Sequence, residues 1–191
     1  MIADAARVIV LNGIGSVGKT STAKALQELC EEPLLHVSGD AFLEMMPQKL
    51  WGHPSWISFS QKAHEGKREV AIQMGEGFEG FMLGMRSAIA ELARAGTSCV
   101  VDDVMLSAQD QGIYRTALGP IRTHFVALHA PLEVLERREY ERGDRLIGLA
   151  RWQWDRVHKG IEYDFEVETV DHSPRDVAMA IADALGLSVA G

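Results

Sequence analysis

The sequence predicts an α/β fold built on a parallel sheet, and three observations carry that prediction. Strand-like and helix-like segments alternate along nearly the whole chain, the pattern that places helices against a parallel sheet. The first strand-like run, Val8-Ile9-Val10-Leu11, is continuously apolar rather than alternating, as a strand buried on both faces must be. Directly after it stands Gly13-Ile14-Gly15-Ser16-Val17-Gly18-Lys19-Thr20, whose G-x-x-x-x-G-K-[ST] spacing belongs to a phosphate-cradling loop between a strand and a helix.

Each element follows in order. The first strand spans about Arg7–Asn12. A helix from about Lys19 to Glu31 places Ala23, Leu26 and Cys30 on one face, and Pro33 closes it. A second strand, Leu34–Ser38, runs into Gly39-Asp40, and a short helix Ala41–Met46 stops before Pro47. Residues 47–77 carry no clear period; Trp51, Trp56 and Phe59 stand among prolines, glycines and charges, with strand character only at Glu69–Gln73. A loop of that length inside a compact domain is usually functional or mobile. Phe78, Phe81, Met82, Met85, Ile89 and Leu92 then recur at helical spacing before Gly96. The strand Thr97–Val101 leads to Asp102-Asp103, Ser107 starts a helix to about Leu118, and Ile121–Leu128 is a further strand. A charged helix covers Pro131–Arg142, a short one contains Trp152 and Trp154, Tyr163–Thr169 alternates as a strand, and Ser173-Pro174 opens the last helix. With 191 residues, no internal repeat and no linker-like tract, the chain reads as one domain, 1–191, with a small lid at about 138–156.

Composition narrows the partners. The formal net charge is −8, which argues against nucleic acid or an anionic membrane as partner. The N-terminus is unlike a signal peptide, and no apolar run approaches the ~18 residues of a membrane span; a soluble, cytoplasmic protein is expected. Cys30 and Cys99 fit neither a metal spacing nor a disulfide framework, so both are read as reduced core thiols.

The chemistry starts at the glycine-rich loop. Backbone N–H groups of Gly13 to Thr20, and of Ser21 at the start of the helix, are suited to ring phosphate oxygens, with the helix dipole behind them. Lys19 is placed to reach the outer phosphates of a nucleotide, and the Thr20 hydroxyl is suited to ligate Mg²⁺. Gly13, Gly15 and Gly18 also spell the G-x-G-x-x-G of a dinucleotide site, with Asp40 near the position, about 20 residues on, where an acid would bind the ribose. Lys19-Thr20 favours the phosphate loop, since a dinucleotide site needs neither side chain there.

In a parallel α/β sheet the ligand sits beyond the carboxyl ends of the strands, and Asp40, Asp102 and Asp103 all fall at such ends. Asp40 is placed to accept a proton from an attacking hydroxyl, or else to cap the helix after it. Asp102 and Asp103 are candidates for the Mg²⁺ shell; neighbours on a strand face opposite ways, so one of the two is expected to serve. Arg138, Arg142 and Arg145, spaced i, i+4, i+7, would share a face on a continued helix, with Gly143 as a hinge. Met45, Met46, Trp51, Trp56, Phe42 and Phe59 are candidates for an apolar acceptor pocket.

These motifs together resemble the chloramphenicol phosphotransferase-like family of P-loop kinases. The likeness rests on the loop with Lys19-Thr20, Gly39-Asp40-Ala41-Phe42-Leu43-Glu44-Met45-Met46-Pro47, Val101-Asp102-Asp103-Val104, Arg142-Gly143-Asp144-Arg145, and His158-Lys159-Gly160-Ile161-Glu162-Tyr163-Asp164. The resemblance implies a three-layer α/β/α fold with a five-stranded parallel sheet and an arginine-bearing lid. It also implies ATP-dependent phosphorylation of a small-molecule hydroxyl, on chloramphenicol or a related acceptor, with Asp40 as base and Arg142 and Arg145 as lid arginines. A nucleotide-dependent switch is the main alternative, although the [NT]-K-x-D motif of a guanine-specific one is absent; an NAD(P)-dependent oxidoreductase is the other.

Overall fold

A computed structural model describes residues 6–64, 66–143 and 146–190. Its centre is a five-stranded sheet formed by β1 (Arg7–Asn12), β2 (Leu35–Ser38), β5 (Cys99–Asp103), β6 (Arg122–His129) and β7 (Phe165–Glu168), in the order β2-β5-β1-β6-β7. Every pairing in it is parallel. The central strand explains its own composition. Ile9 and Leu11 pack with Ala23, Leu26 and Ile181 on one face, while Val8 and Val10 pack with Met85, Ile89 and Tyr114 on the other. Both faces are therefore dry, and a polar residue at any of these four positions would be left without water.

The first face is covered by α1 (Lys19–Leu29) and α7 (Pro174–Leu185), and the second by α3 (Glu76–Arg94) and α4 (Ala108–Leu118). This is the three-layer α/β/α arrangement. The last helix starts as the sequence requires: Ser173 and Asp176 form a reciprocal capping box, with Pro174 in the first turn. Cys30 and Cys99 are both buried and free. Cys30 stands one residue beyond the end of α1 rather than on its helical face.

Three local differences from the sequence reading affect the site. The short helix α2 spans Gly39–Glu44 with Ser38 as its N-cap, so Asp40 lies inside the first turn and is not the capping residue. Residues 57–74, expected as largely irregular, form an antiparallel hairpin of β3 (Ile57–His64) and β4 (Lys67–Met74), separate from the main sheet. The hairpin has a small core of its own, with Ile57, Met46 and Phe78 buried and Trp51, Trp56 and Phe81 against them. Of its described side chains only Ile57 and Val70 are buried, so no apolar alternation marks the strands for a pattern search. Finally, α5 (Leu132–Arg142) ends at Gly143 in the left-handed region, φ 66°. Arg138 and Arg142 are thus on one helix, with Arg142 its last residue. Asp144 and Arg145 lie outside the described residues. The chain resumes as helix in α6 (Leu149–Trp154).

Candidate active site

The strand order decides where a ligand can lie. β1 is central, so the loop Gly13–Thr20 opens at the middle of the sheet's carboxyl edge. β2 and β7 are at opposite edges, so α2 and the hairpin flank one side of the loop, and the turn from β7 to α7 flanks the other. A cavity of roughly 1460 Å³ runs through this region, lined by the loop, Asp40, Arg142, the hairpin and the start of α7.

The loop has the backbone that phosphate binding needs. Ser16 and Gly18 both adopt positive φ, 67° and 106°, and turns of this kind converge successive N–H groups on one point. Gly18 tolerates this for want of a side chain. Ser16 does not, and a non-glycine residue held there stores about 1–3 kcal/mol of strain; its buried hydroxyl also has no hydrogen-bond partner. Gly13 is needed for another reason: a Cβ there would stand 2.7 Å from the Leu128 carbonyl oxygen. Lys19 is buried, with Nζ donating to Gly13 O at 2.6 Å and to Ile14 O at 3.2 Å. The ammonium therefore lies over the start of the loop. Ser21 also lines the cavity.

The two adjacent aspartates part as strand geometry demands. Asp102 faces the loop. It accepts hydrogen bonds from His36 Nε2 at 2.9 Å and Ser38 Oγ at 3.1 Å, and from the Thr20 hydroxyl. Burial works to raise its pKa, but the His36 and Thr20 hydrogen bonds and the charges of Lys19 and His36 outweigh that and hold the carboxyl below its ordinary range. Asp103 faces α3 and α4. Its Oδ2 accepts from Tyr114 Oη at 2.9 Å, Oδ1 accepts from Val104 N at 2.7 Å, and the Arg86 guanidinium is 3.7 Å away. Arg86 also donates to Asp110 at 2.8 Å. Burial acts to lower the Arg86 pKa, but Asp103, Tyr114 and Asp110 together raise it, so this buried arginine stays charged. Thr20 and Asp102, hydrogen-bonded to each other beside the loop, are hard oxygen donors of the kind that suits Mg²⁺; Asp103 also lines the cavity but is turned to Tyr114 and Arg86.

Beside the loop, Arg138 donates to Ser16 O at 3.5 Å and to Thr169 Oγ1 at 3.4 Å. Arg142, one turn further along α5, lines the cavity. Glu139 on the same helix is buried, and its carboxylate accepts from Gly148 N at 2.7 Å and Ala150 N at 2.8 Å. An acid at a helix start satisfies free N–H groups and meets the positive end of the dipole; this ties α6 to α5. From α6, Gln153 reaches the loop itself, with Oε1 accepting from Gly15 N at 2.7 Å.

The opposite wall is apolar. Of the six candidates read from sequence, Trp51 and Phe59 line the cavity, their rings stacked with centroids 6.3 Å apart. Ile57, Ile72, Phe78 and Met82 complete that wall. Met46 and Trp56 belong to the small core, Phe42 packs against the main core, and Met45 is exposed. Asp40 lines the same cavity. Sequence reasoning missed Gln153, Arg86 and His36; each is one polar residue in an element read for its apolar pattern, with no motif around it.

Comparison with known proteins agrees with this geometry. A Mycobacterium tuberculosis protein whose name proposes O-phosphotransferase activity is 27% identical over 183 residues, 93% of this chain and 81% of its own. Among solved structures, a sugar kinase from Janibacter sp. aligns with TM-score 0.67 at 18% identity, over 96% of this chain and 95% of its own. The Mycobacterium tuberculosis APS kinase bound to AMPPNP and APS aligns with TM-score 0.67 at 15% identity, over 95% and 98%. A Deinococcus radiodurans tunicamycin resistance protein aligns with TM-score 0.65 at 20% identity, over 97% and 99%. The fold is that of the P-loop kinases. Residues 6–186 match the chloramphenicol phosphotransferase-like proteins, and the chain belongs to that family.

Proposed function

We propose that the protein transfers the γ-phosphoryl group of ATP to a hydroxyl of a small, partly apolar acceptor, a chloramphenicol-like antibiotic being one member of that class. The reading rests above all on one observation: a single cavity is lined by the phosphate loop, by the Asp40 carboxylate and by the apolar wall of Trp51 and Phe59. A nucleotide switch has no use for the third feature.

Phosphoryl transfer asks the protein for positioning and for charge stabilisation more than for covalent chemistry. The loop's N–H groups between Gly13 and Ser21 cradle the phosphates, apart from Gly15 N, which is given to Gln153. Lys19 and Arg138 hold the outer ones, and Arg142 approaches them from α5. Arg145 joins Arg142 in this role, as part of a lid spanning about 138–156. When bound, Mg²⁺ neutralises phosphate charge; Thr20 and Asp102 are the residues suited to hold it, directly or through water. The acceptor lies against Trp51 and Phe59 with its hydroxyl toward Asp40. Asp40 takes the hydroxyl proton as the oxygen attacks, and ADP departs. Two free cysteines and a need for ATP fit the reducing cytoplasm.

The test is to incubate the protein with Mg²⁺, γ-labelled ATP and a panel of hydroxyl compounds that includes chloramphenicol. Label should move to at least one acceptor. Asp40→Asn should lower kcat about 10²–10⁴-fold, the usual worth of a general base, with ATP affinity and melting temperature nearly unchanged. ATP consumption that no acceptor accelerates would favour the switch.

A further inference from the structure

Gln153 is a residue that the phosphotransfer scheme leaves without a task, yet its surroundings are specific. It is only 4% exposed and forms part of the cavity wall. A backbone N–H can only donate, so the side-chain atom 2.7 Å from Gly15 N must be the oxygen. The partner thereby settles the orientation of the carboxamide, and leaves Nε2, with two N–H donors, for an acceptor other than Gly15. The position along the loop is equally informative. The Lys19 ammonium, which reaches the outer phosphates, sits at Gly13 O and Ile14 O. Gly15 is the next residue. Gln153 therefore stands at the outer-phosphate end of the loop.

We propose that Gln153 donates through Nε2 to the terminal phosphate of the bound nucleotide, in the orientation that Gly15 N imposes. The inference rests on the phosphotransfer reading and names a donor within it. Gly15 N spends its one proton on Gln153, and the side chain returns a donor placed further out, where the backbone does not reach. A neutral donor fixed in a water-poor site stabilises phosphate charge without needing to reorganise. The same contact couples α6 to the loop, so the terminal phosphate and the 138–156 segment are read together.

A structural brace would also use the Gly15 contact, and two variants separate the roles. Gln153→Glu keeps an oxygen for Gly15 N but loses the donor; Gln153→Leu loses both. Each is titrated with ADP and with the non-hydrolysable AMPPNP in the presence of Mg²⁺, by calorimetry, and melted without nucleotide. The expected result is a loss of AMPPNP affinity at least about tenfold greater than the loss for ADP in both variants, the scale of one hydrogen bond to a charged group. Only Gln153→Leu should also melt earlier. Equal losses for the two nucleotides, or a change in melting alone, would make Gln153 a brace and overturn the proposal. Wild-type protein that binds neither nucleotide would overturn the phosphotransfer reading itself, and this inference with it.

Discussion

Under the proposed phosphotransfer, the cavity has a phosphate side held by backbone and an acceptor side held by side chains. On the phosphate side, Gly13 to Thr20 are contiguous, seated on the central strand, and contacted by Gln153 and Arg138. On the acceptor side, Trp51 and Phe59 come from a turn and a two-stranded hairpin outside the main sheet. Gly75 N donating to Trp56 O at 2.7 Å closes the hairpin's base, and Val70 N donating to Gly148 O at 3.0 Å ties it to the start of α6. Phosphate chemistry is invariant and needs atoms in one arrangement, which a backbone loop supplies whatever the side chains around it. Acceptor chemistry varies, and side chains on a hairpin can be exchanged without disturbing the sheet. Changes on the first side should decide whether phosphate moves; changes on the second should decide to what.

The largest expected effect is on the phosphate side. Lys19→Ala should reduce transfer about 10³-fold or more, because a charge aimed at the developing phosphate is lost. Its melting temperature should move by a few degrees at most, since the Nζ contacts are to loop carbonyls and not to the core. Active Lys19→Ala protein would end the distinction between the two sides.

Trp51→Ala probes the acceptor side. Truncating an aromatic that covers the acceptor should raise the acceptor KM about 10–100-fold, from ~1.5–3 kcal/mol of lost burial. ATP affinity, measured by titration, should stay within a factor of two. An equal fall in both would show that the two walls do not act separately.

Gly148→Ala tests the joint between them. Gly148 has φ 101°, and a Cβ there would stand 2.5 Å from the Arg68 carbonyl oxygen. The substitution should cost about 1–3 kcal/mol and lower the melting temperature by several degrees. It should weaken acceptor binding more than ATP binding, because the hairpin is the part displaced.

The smallest effect is a pH dependence behind the loop. His158 Nδ1 pairs with Tyr163 Oη at 2.8 Å, and Tyr163 Oη accepts from Asn12 Nδ2 at 2.6 Å. Burial, then the charges of His129 and Lys19, bring the His158 pKa down to about 4, against the opposing pull of Glu166. Folding therefore requires the neutral ring. Its contribution is complete above the ordinary histidine value near 6.5 and is lost as pH falls from there to about 4. Solvent reaches part of the ring and screens the shift, so the loss is on the order of 1 kcal/mol. Denaturant titrations of wild type and His158→Gln should diverge in slope across that window and run parallel above it.

The sequence alone determined the sheet and the phosphate side. Buried strands and a glycine-rich loop are contiguous, and their constraints are written in neighbouring residues: continuous apolar runs for double burial, glycines where positive φ or close approach requires them, and Lys19-Thr20 at one spacing. Asp40 and the Asp102-Asp103 pair were legible because a parallel sheet sends every strand end to one edge. Only the tertiary structure separated Asp102, facing Thr20, from Asp103, held by Tyr114 and Val104. It alone paired residues 57–64 with 67–74, and brought Gln153 to Gly15 across 138 positions. The physical reason is the range of the interactions. Backbone conformation and burial leave a local period, whereas a single polar contact between distant elements leaves one unremarkable residue at each end.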